Sequence, residues 1–182
     1  MNAHQRIWPR LWLMTDERMG DALWAAIERL PAGAGLVFRH YVTEADPRAA
    51  LGRRIADLCR TRAITLAVAR DVALARELGA DLVHNPAGAT GDLPFSRSVH
   101  SVEEAERARV EGAALVFVSP VRPTRSHPGQ PALAPEEAAR IARAAAVPAI
   151  ALGGMNARLF APFERDGFHG WAGIDAWIDG ED

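Results

Sequence analysis

The sequence contains no lysine; all 21 of its Lys/Arg-class residues are arginine. That absence removes several chemistries. Without lysine there is no Schiff base, so class I aldolase and pyridoxal phosphate chemistry are excluded. The lysine of a nucleotide P-loop is missing too. Arginine does not replace it as a proton acceptor, because its pKa stays too high. Cysteine is nearly as scarce. The single Cys59 allows no internal disulfide, and its amphipathic surroundings read as a small packed apolar group rather than a catalytic thiol. The net charge of −2 carries no basic footprint for nucleic acid. No apolar run reaches the ~20 residues of a membrane span, and residues 1–10 lack the apolar centre of a signal peptide. Neither nucleic acid nor a membrane is therefore an expected partner, and the expected location is cytoplasmic.

The 182 residues, 49% hydrophobic and 24% charged, suit one domain over residues 1–182 with a single core. Short apolar runs alternate with helical patterns. Strands are predicted at residues 10–15, 35–39, 63–68, 81–84, 97–100, 114–119, 148–152 and 169–172. Helices are predicted at 21–30, 47–62, 71–78, 101–111, 135–145 and 158–165, with a short one at the end. The second is expected to open on Asp46 as N-cap with Pro47 at its first position. Residues 85–94, rich in Gly, Pro and Ala, leave no room for a long helix. The alternation predicts a compact α/β fold, a TIM-type (β/α)8 barrel. Such barrels usually take ~200 to 250 residues, so the loops here must be trimmed. An open doubly wound sheet is the alternative.

Barrels of this type place function on the loops after the strands, and often hold phosphate after strands seven and eight, on backbone N–H groups. Strand seven ends in Gly153-Gly154-Met155-Asn156, and strand eight in Ala172-Gly173-Ile174. Paired glycines let the backbone approach a phosphate without Cβ clashes; tight turns alone would also use them. After strand six, Thr124 and Ser126 can donate to phosphate oxygens and Arg122 or Arg125 can supply charge. An exposed polar loop would look the same.

Several segments occur in a telling order. They are Leu11-Trp-Leu-Met-Thr-Asp16, Leu78-Gly-Ala-Asp-Leu-Val-His84, Ser98-Val-His-Ser-Val-Glu-Glu-Ala105, the loop at residues 120–126, and Gly153-Gly154-Met155. Together they resemble the thiamine phosphate synthase/TenI family, from residue 11 to residue 177. The resemblance implies a barrel that binds a phosphorylated thiazole, and it leaves a homodimer open. Synthases of the family join a pyrimidine pyrophosphate to a thiazole phosphate, with magnesium neutralising the departing pyrophosphate. Some TenI-like members instead catalyse an aromatising tautomerisation of a thiazole carboxylate phosphate.

The chain departs from the synthase pattern. The Gln-x-Arg-x-Lys run after strand two aligns with Val37-Phe38-Arg39-His40-Tyr41, where only the arginine remains. The Asn-Asp after strand three aligns with Ala69-Arg70, a cation in place of a metal ligand. The second aspartate falls within residues 85–89, which hold no carboxylate. Magnesium prefers one or two carboxylates with phosphate oxygens. Asp71 and Asp92 are the nearby substitutes. The expectation is therefore no metal and no cofactor, with magnesium only for a true synthase. The late lysine of the synthase loop aligns with His127.

In the TenI-like branch, the histidine of the Ser98–Ser101 motif, His100, is the implied catalytic acid/base, since one imidazole can take a proton from a ring carbon and return it elsewhere. A structural histidine bonded to a carbonyl is the plainer reading. Arg39, Ser98 and His127 are expected to contact substrate, with Arg39 as an anion or ring contact. Phosphate is expected on Thr124, Ser126, Gly153, Gly154, Ala172 and Gly173. His84 reads as a packed shell residue, and the tryptophans as core. Three functions stay open: a thiazole tautomerase first, a synthase with unusual magnesium ligands, or a non-catalytic phosphate-ligand binder.

Overall fold

The computed structural model describes residues 7–123 and 131–178. Its strands are β1 (Leu11–Met14), β2 (Gly35–Phe38), β3 (Thr65–Ala69), β4 (Leu82–His84), β5 (Phe95–Val99), β6 (Leu115–Val118), β7 (Ala149–Leu152) and β8 (Gly170–Gly173). All pair in parallel in chain order, and β8 returns to β1, closing the barrel. The helices are α1 (Ala22–Arg29), α2 (Ala45–Thr61), α3 (Val72–Glu77), α4 (Val102–Glu111), α5 (Pro135–Ala145), α6 (Ala157–Arg165) and α7 (Asp175–Ile178). No helix separates β4 from β5, as the composition of residues 85–94 implied. Closure excludes the open sheet, and no described helix is long and apolar enough to cross a membrane.

Side chains alternate along each strand. Leu13, Leu36, Phe38, Leu66 and Val68 face α1–α3, and Val99, Val116, Val118 and Ala149 face α4–α6. The opposite set fills the barrel: Trp12, Met14, Val37, Ala67, Ala69, Leu82, Leu115, Phe117, Ile150 and Ala172. Trp12 and Phe117 meet edge to face at 5.5 Å between centroids, an arrangement suited to the ring quadrupoles. Their bulk is accommodated because the facing positions are small. A Cβ on Gly35 would lie 2.3 Å from the Trp12 ring. Trp8, Trp12 and Trp171 are buried, and Trp24 and Trp177 pack against the core, as expected for the tryptophans.

Two local expectations are corrected. Helix α2 starts at Ala45, and its N-cap is Glu44, which makes no side-chain cap bond; Asp46 lies in the first turn. Proline is tolerated there because first-turn N–H groups have no intrahelical acceptor in any case, and Asp46 still favours the positive helix end. Strand three begins at Thr65 rather than residue 63, because Ala63 has φ +53° and cannot extend. Asp71 and Ser101 do cap their helices, accepting from Leu74 N at 2.9 Å and Glu104 N at 3.3 Å.

Candidate functional site

The parallel strands deliver all their C-terminal ends to one face, and the chemistry-bearing residues gather there. At the centre is a polar floor built from β4 and β5. His84 is 2% exposed and rests its ring against Phe117 at 5.0 Å. Its Nδ1 lies 3.0 Å from Ser96 Oγ, and its Nε2 lies 3.2 Å from Asn85 Nδ2 and 3.3 Å from Ser98 Oγ. Asn85 Oδ1 accepts from Ser98 N at 2.8 Å, so its Nδ2 is the donor toward the imidazole. Nε2 therefore accepts and Nδ1 donates to Ser96, which is the neutral ring. Burial, with Arg39 and Arg97 adding to it, pushes the His84 pKa down to about 3. Ser98 lies in this network, committed to Asn85 and His84. Period-two alternation from Leu82 gives the inward direction of His84. Nothing local announces Asn85, whose φ of +46° is typical of the few residue types that tolerate it.

His100 follows β5 and is exposed. Its backbone N–H donates to Glu104 Oε2 at 2.7 Å, and its Nδ1 lies 2.6 Å from Ser119 O. A carbonyl only accepts, so Nδ1 carries a hydrogen, and in the neutral ring Nε2 holds the lone pair. The side chain is thus oriented from β6, with its other nitrogen available as a base.

The β7 and β8 loops are tight. Gly153 has φ +109° and is buried; a Cβ there would lie 3.1 Å from Pro120 Cα. Gly154 has φ +56°, and a Cβ would lie 2.5 Å from Pro123 O. These glycines are therefore required by contact with the β6 loop whatever else they do. Neither of their N–H groups donates to an acceptor among the described residues, so both are candidates for an anion. Ala172 is fully buried in the barrel, paired with Trp12 and Leu152, and Gly173 is buried beside Met155. Thr124, Ser126 and His127 lie outside the described residues.

On the β1–β3 side, arginines meet carboxylates. Arg39 Nε donates to Thr15 O at 2.8 Å and Nη2 to Asp16 Oδ2 at 3.3 Å. Arg39 thereby ties β2 to the β1 loop, with part of its guanidinium already committed. Thr15, buried, accepts from Arg39 N and bonds His40 Nδ1 at 3.1 Å. Burial opposes ionisation of Asp16, but the Arg18 hydrogen bonds and the charges of Arg18 and Arg39 outweigh it and hold its pKa below the usual carboxylate range. Asp71 is taken by Leu74 N and by Arg48 at 3.1 Å, and Asp92 by Arg76 at 2.7 Å. Among the described residues no group of three or more His, Cys, Asp or Glu stands together to hold an ion. With Arg70 and Asn85 where carboxylates were sought, the described residues do not fit magnesium.

Residues 11–177 match the family described as thiamine monophosphate synthase. The chain belongs to that family. Among its relatives, a thiamine-phosphate synthase of Bacillus velezensis is 31% identical over 75% of this chain and 66% of that protein. One of Methylococcus capsulatus is 32% identical over 80% and 71%. A putative thiamine-phosphate synthase 2 of Aquifex aeolicus is 28% identical over 94% and 98%. The match covers slightly under two thirds of the Bacillus velezensis protein, and 34% of a bifunctional thiamine biosynthesis protein of Geobacter sulfurreducens. A solved thiamine phosphate pyrophosphorylase of Pyrococcus furiosus superimposes with a TM-score of 0.79 over 95% of this chain and 89% of that one, at 23% identity. That likeness establishes the same barrel. Membership of the family places the chain in thiamine biosynthesis.

Proposed function

We propose that this barrel binds a phosphorylated thiazole and acts as a thiazole tautomerase, with His100 as the proton carrier. The observation that carries this reading is the exposed imidazole at the end of β5, oriented by the Ser119 carbonyl so that Nε2 is the basic nitrogen. Nε2 takes a proton from a ring carbon of the non-aromatic thiazole carboxylate phosphate, and the resulting imidazolium returns it elsewhere on the same ring. No atoms or electrons are gained or lost, and no metal is needed. The N–H groups of Gly153 and Gly154, which have no acceptor among the described residues, anchor the phosphate, so that binding positions the ring for transfer. The arginine-bound carboxylates support a reaction that proceeds without magnesium.

A split between binding and turnover tests the reading. In His100→Ala, turnover should fall while the affinity for the aromatic thiazole phosphate product, read by calorimetry, stays within about twofold of wild type. Unchanged turnover would remove His100 from the chemistry. The second reading, a thiamine phosphate synthase with unusual ligands, is favoured by the names of the relatives. Magnesium-dependent thiamine phosphate formation from both substrates would establish it.

A further inference from the structure

The mouth of the barrel at β5, β6 and β7 holds a polar group that proton transfer by His100 leaves unused, the Ser119 hydroxyl. Along β6, Leu115 and Phe117 point into the barrel while Val116 and Val118 point out. Ser119 is the next inward position, one layer above Phe117. The strand register names its neighbours. Ser98 lies beside Phe117 and Val99 beside Val118, so the next pair across β5 and β6 is His100 and Ser119. Phe117 lies beside Ile150 and Val118 beside Ala151, so Leu152 follows on the β7 side. Ser119 N donates to Val99 O at 3.2 Å, which carries the β5–β6 pairing up to this layer. Ser119, partly exposed, thus stands at the mouth between the His100 imidazole and the half-buried Leu152.

The hydrogen bonds around Ser119 leave its hydroxyl hydrogen over. Its carbonyl accepts from His100 Nδ1 at 2.6 Å, and its Oγ lies 3.4 Å from the same nitrogen. Nδ1 already carries a hydrogen, so it has no lone pair to offer the hydroxyl. At most Oγ takes a share of the Nδ1 hydrogen. Among the described residues Oγ has no other hydrogen-bond partner. Glu104, an acidic side chain of the same corner, is turned to the His100 backbone N–H at 2.7 Å instead. A serine hydroxyl rotates to suit its acceptor, so this one can aim its hydrogen across the mouth.

We infer that the Ser119 hydroxyl is the carboxylate-recognising group of this site. It donates to the ring carboxylate of the substrate and selects a thiazole carboxylate phosphate over a thiazole phosphate that lacks the carboxylate. The inference rests on the reading of the mouth as a phosphorylated-thiazole site and adds the contact for the second anion. Gly153 follows Leu152 directly. The phosphate therefore lies toward Gly153 and Gly154, the ring against Leu152, and the carboxylate toward Ser119 and His100. This placement has a chemical consequence. As the ring carbon gives its proton to His100, negative charge spreads into the attached carboxylate, and a donor already in position stabilises it. A hydrogen bond to a charged oxygen is also stronger than one between neutral groups.

The test is calorimetric titration of the whole chain with two aromatic ligands, thiazole phosphate and thiazole carboxylate phosphate. Ser119→Ala removes the hydroxyl and keeps the carbonyl that orients His100, and a thermal melt reads its fold. The variant should bind the carboxylate ligand about tenfold more weakly than wild type, the usual worth of a hydrogen bond to a charged group. It should bind thiazole phosphate within about twofold of wild type. Ser119→Thr, which keeps a hydroxyl, should match wild type on both ligands. No loss for the carboxylate ligand in Ser119→Ala, or an equal loss for both ligands, would overturn the inference and leave the thiazole phosphate reading in place. Failure of wild type to bind either ligand would overturn that reading and this inference together.

Discussion

The two sides of the barrel mouth offer an anion different things. On the β7–β8 side, Gly153 and Gly154 leave backbone N–H groups without an acceptor among the described residues, and both glycines pack closely on Pro120 and Pro123. On the β1–β3 side, guanidiniums dominate, and Asp16 and Asp71 are already bound to them. The first side is backbone packed on backbone. The second depends on charge and on side chains with several rotatable bonds. Between them stand a neutral His84, sealed in the floor, and an exposed His100. Burial makes the first histidine a structural acceptor and leaves the second, on our proposal, free for proton transfer, though both directly follow an outward-facing valine, Val83 or Val99.

Changes that break this contrast should have graded effects. The largest falls on His100. Its replacement by alanine should lower turnover about 10² to 10⁴-fold, the usual worth of a positioned acid/base, while a melt shows the fold intact. Next is Gly154→Ala. The positive φ and the approach to Pro123 O should together destabilise the fold by about 2 to 4 kcal/mol, measured by denaturant titration, and weaken thiazole phosphate binding.

His84 should show itself through pH. Its folded pKa of about 3 lies below the ~6.5 of an unfolded histidine, so below pH 6.5 the unfolded chain binds a proton that the folded chain does not. Stability is full above that pH and declines as pH falls toward 3, by about 2 kcal/mol at pH 5 from this group. Denaturant titration at both pH values checks this, and His84→Asn should flatten the difference. The smallest effects lie on the arginine side. Arg70→Gly should stabilise the fold by about 1 kcal/mol or leave it unchanged, since glycine is at ease at positive φ.

The barrel was legible because its signals are local. Alternation places Trp12, Val37, Leu82 and Phe117 inside, and Ser101 with Glu104 marks a helix start. Strand ends were less legible: Ala63 looked extended, and only its backbone angle shows otherwise. The Gly153–Gly154 turn and the His100 motif could be found from sequence, but not the reasons for their geometry. The carbonyl that orients His100 belongs to Ser119, on another strand. Tyr41 and Arg70, whose guanidinium lies 4.7 Å from the centroid of the tyrosine ring, escape a linear reading because they meet only through the register of β2 on β3. That register, Val37 beside Ala67 and Phe38 beside Val68, carries their offset forward to the loops. Arg48 was hidden for a related reason: it reaches Asp71 from a different helix.

The central claim is that this family member performs proton transfer on a phosphorylated thiazole through His100, without a metal. The most direct measurement is an NMR time course of the non-aromatic thiazole carboxylate phosphate tautomer in EDTA, with wild type, with His100→Ala and without protein. The account predicts rapid aromatisation with wild type, unchanged when magnesium replaces EDTA, and near-background rates with His100→Ala. No acceleration by wild type, or equal acceleration by both proteins, would contradict it.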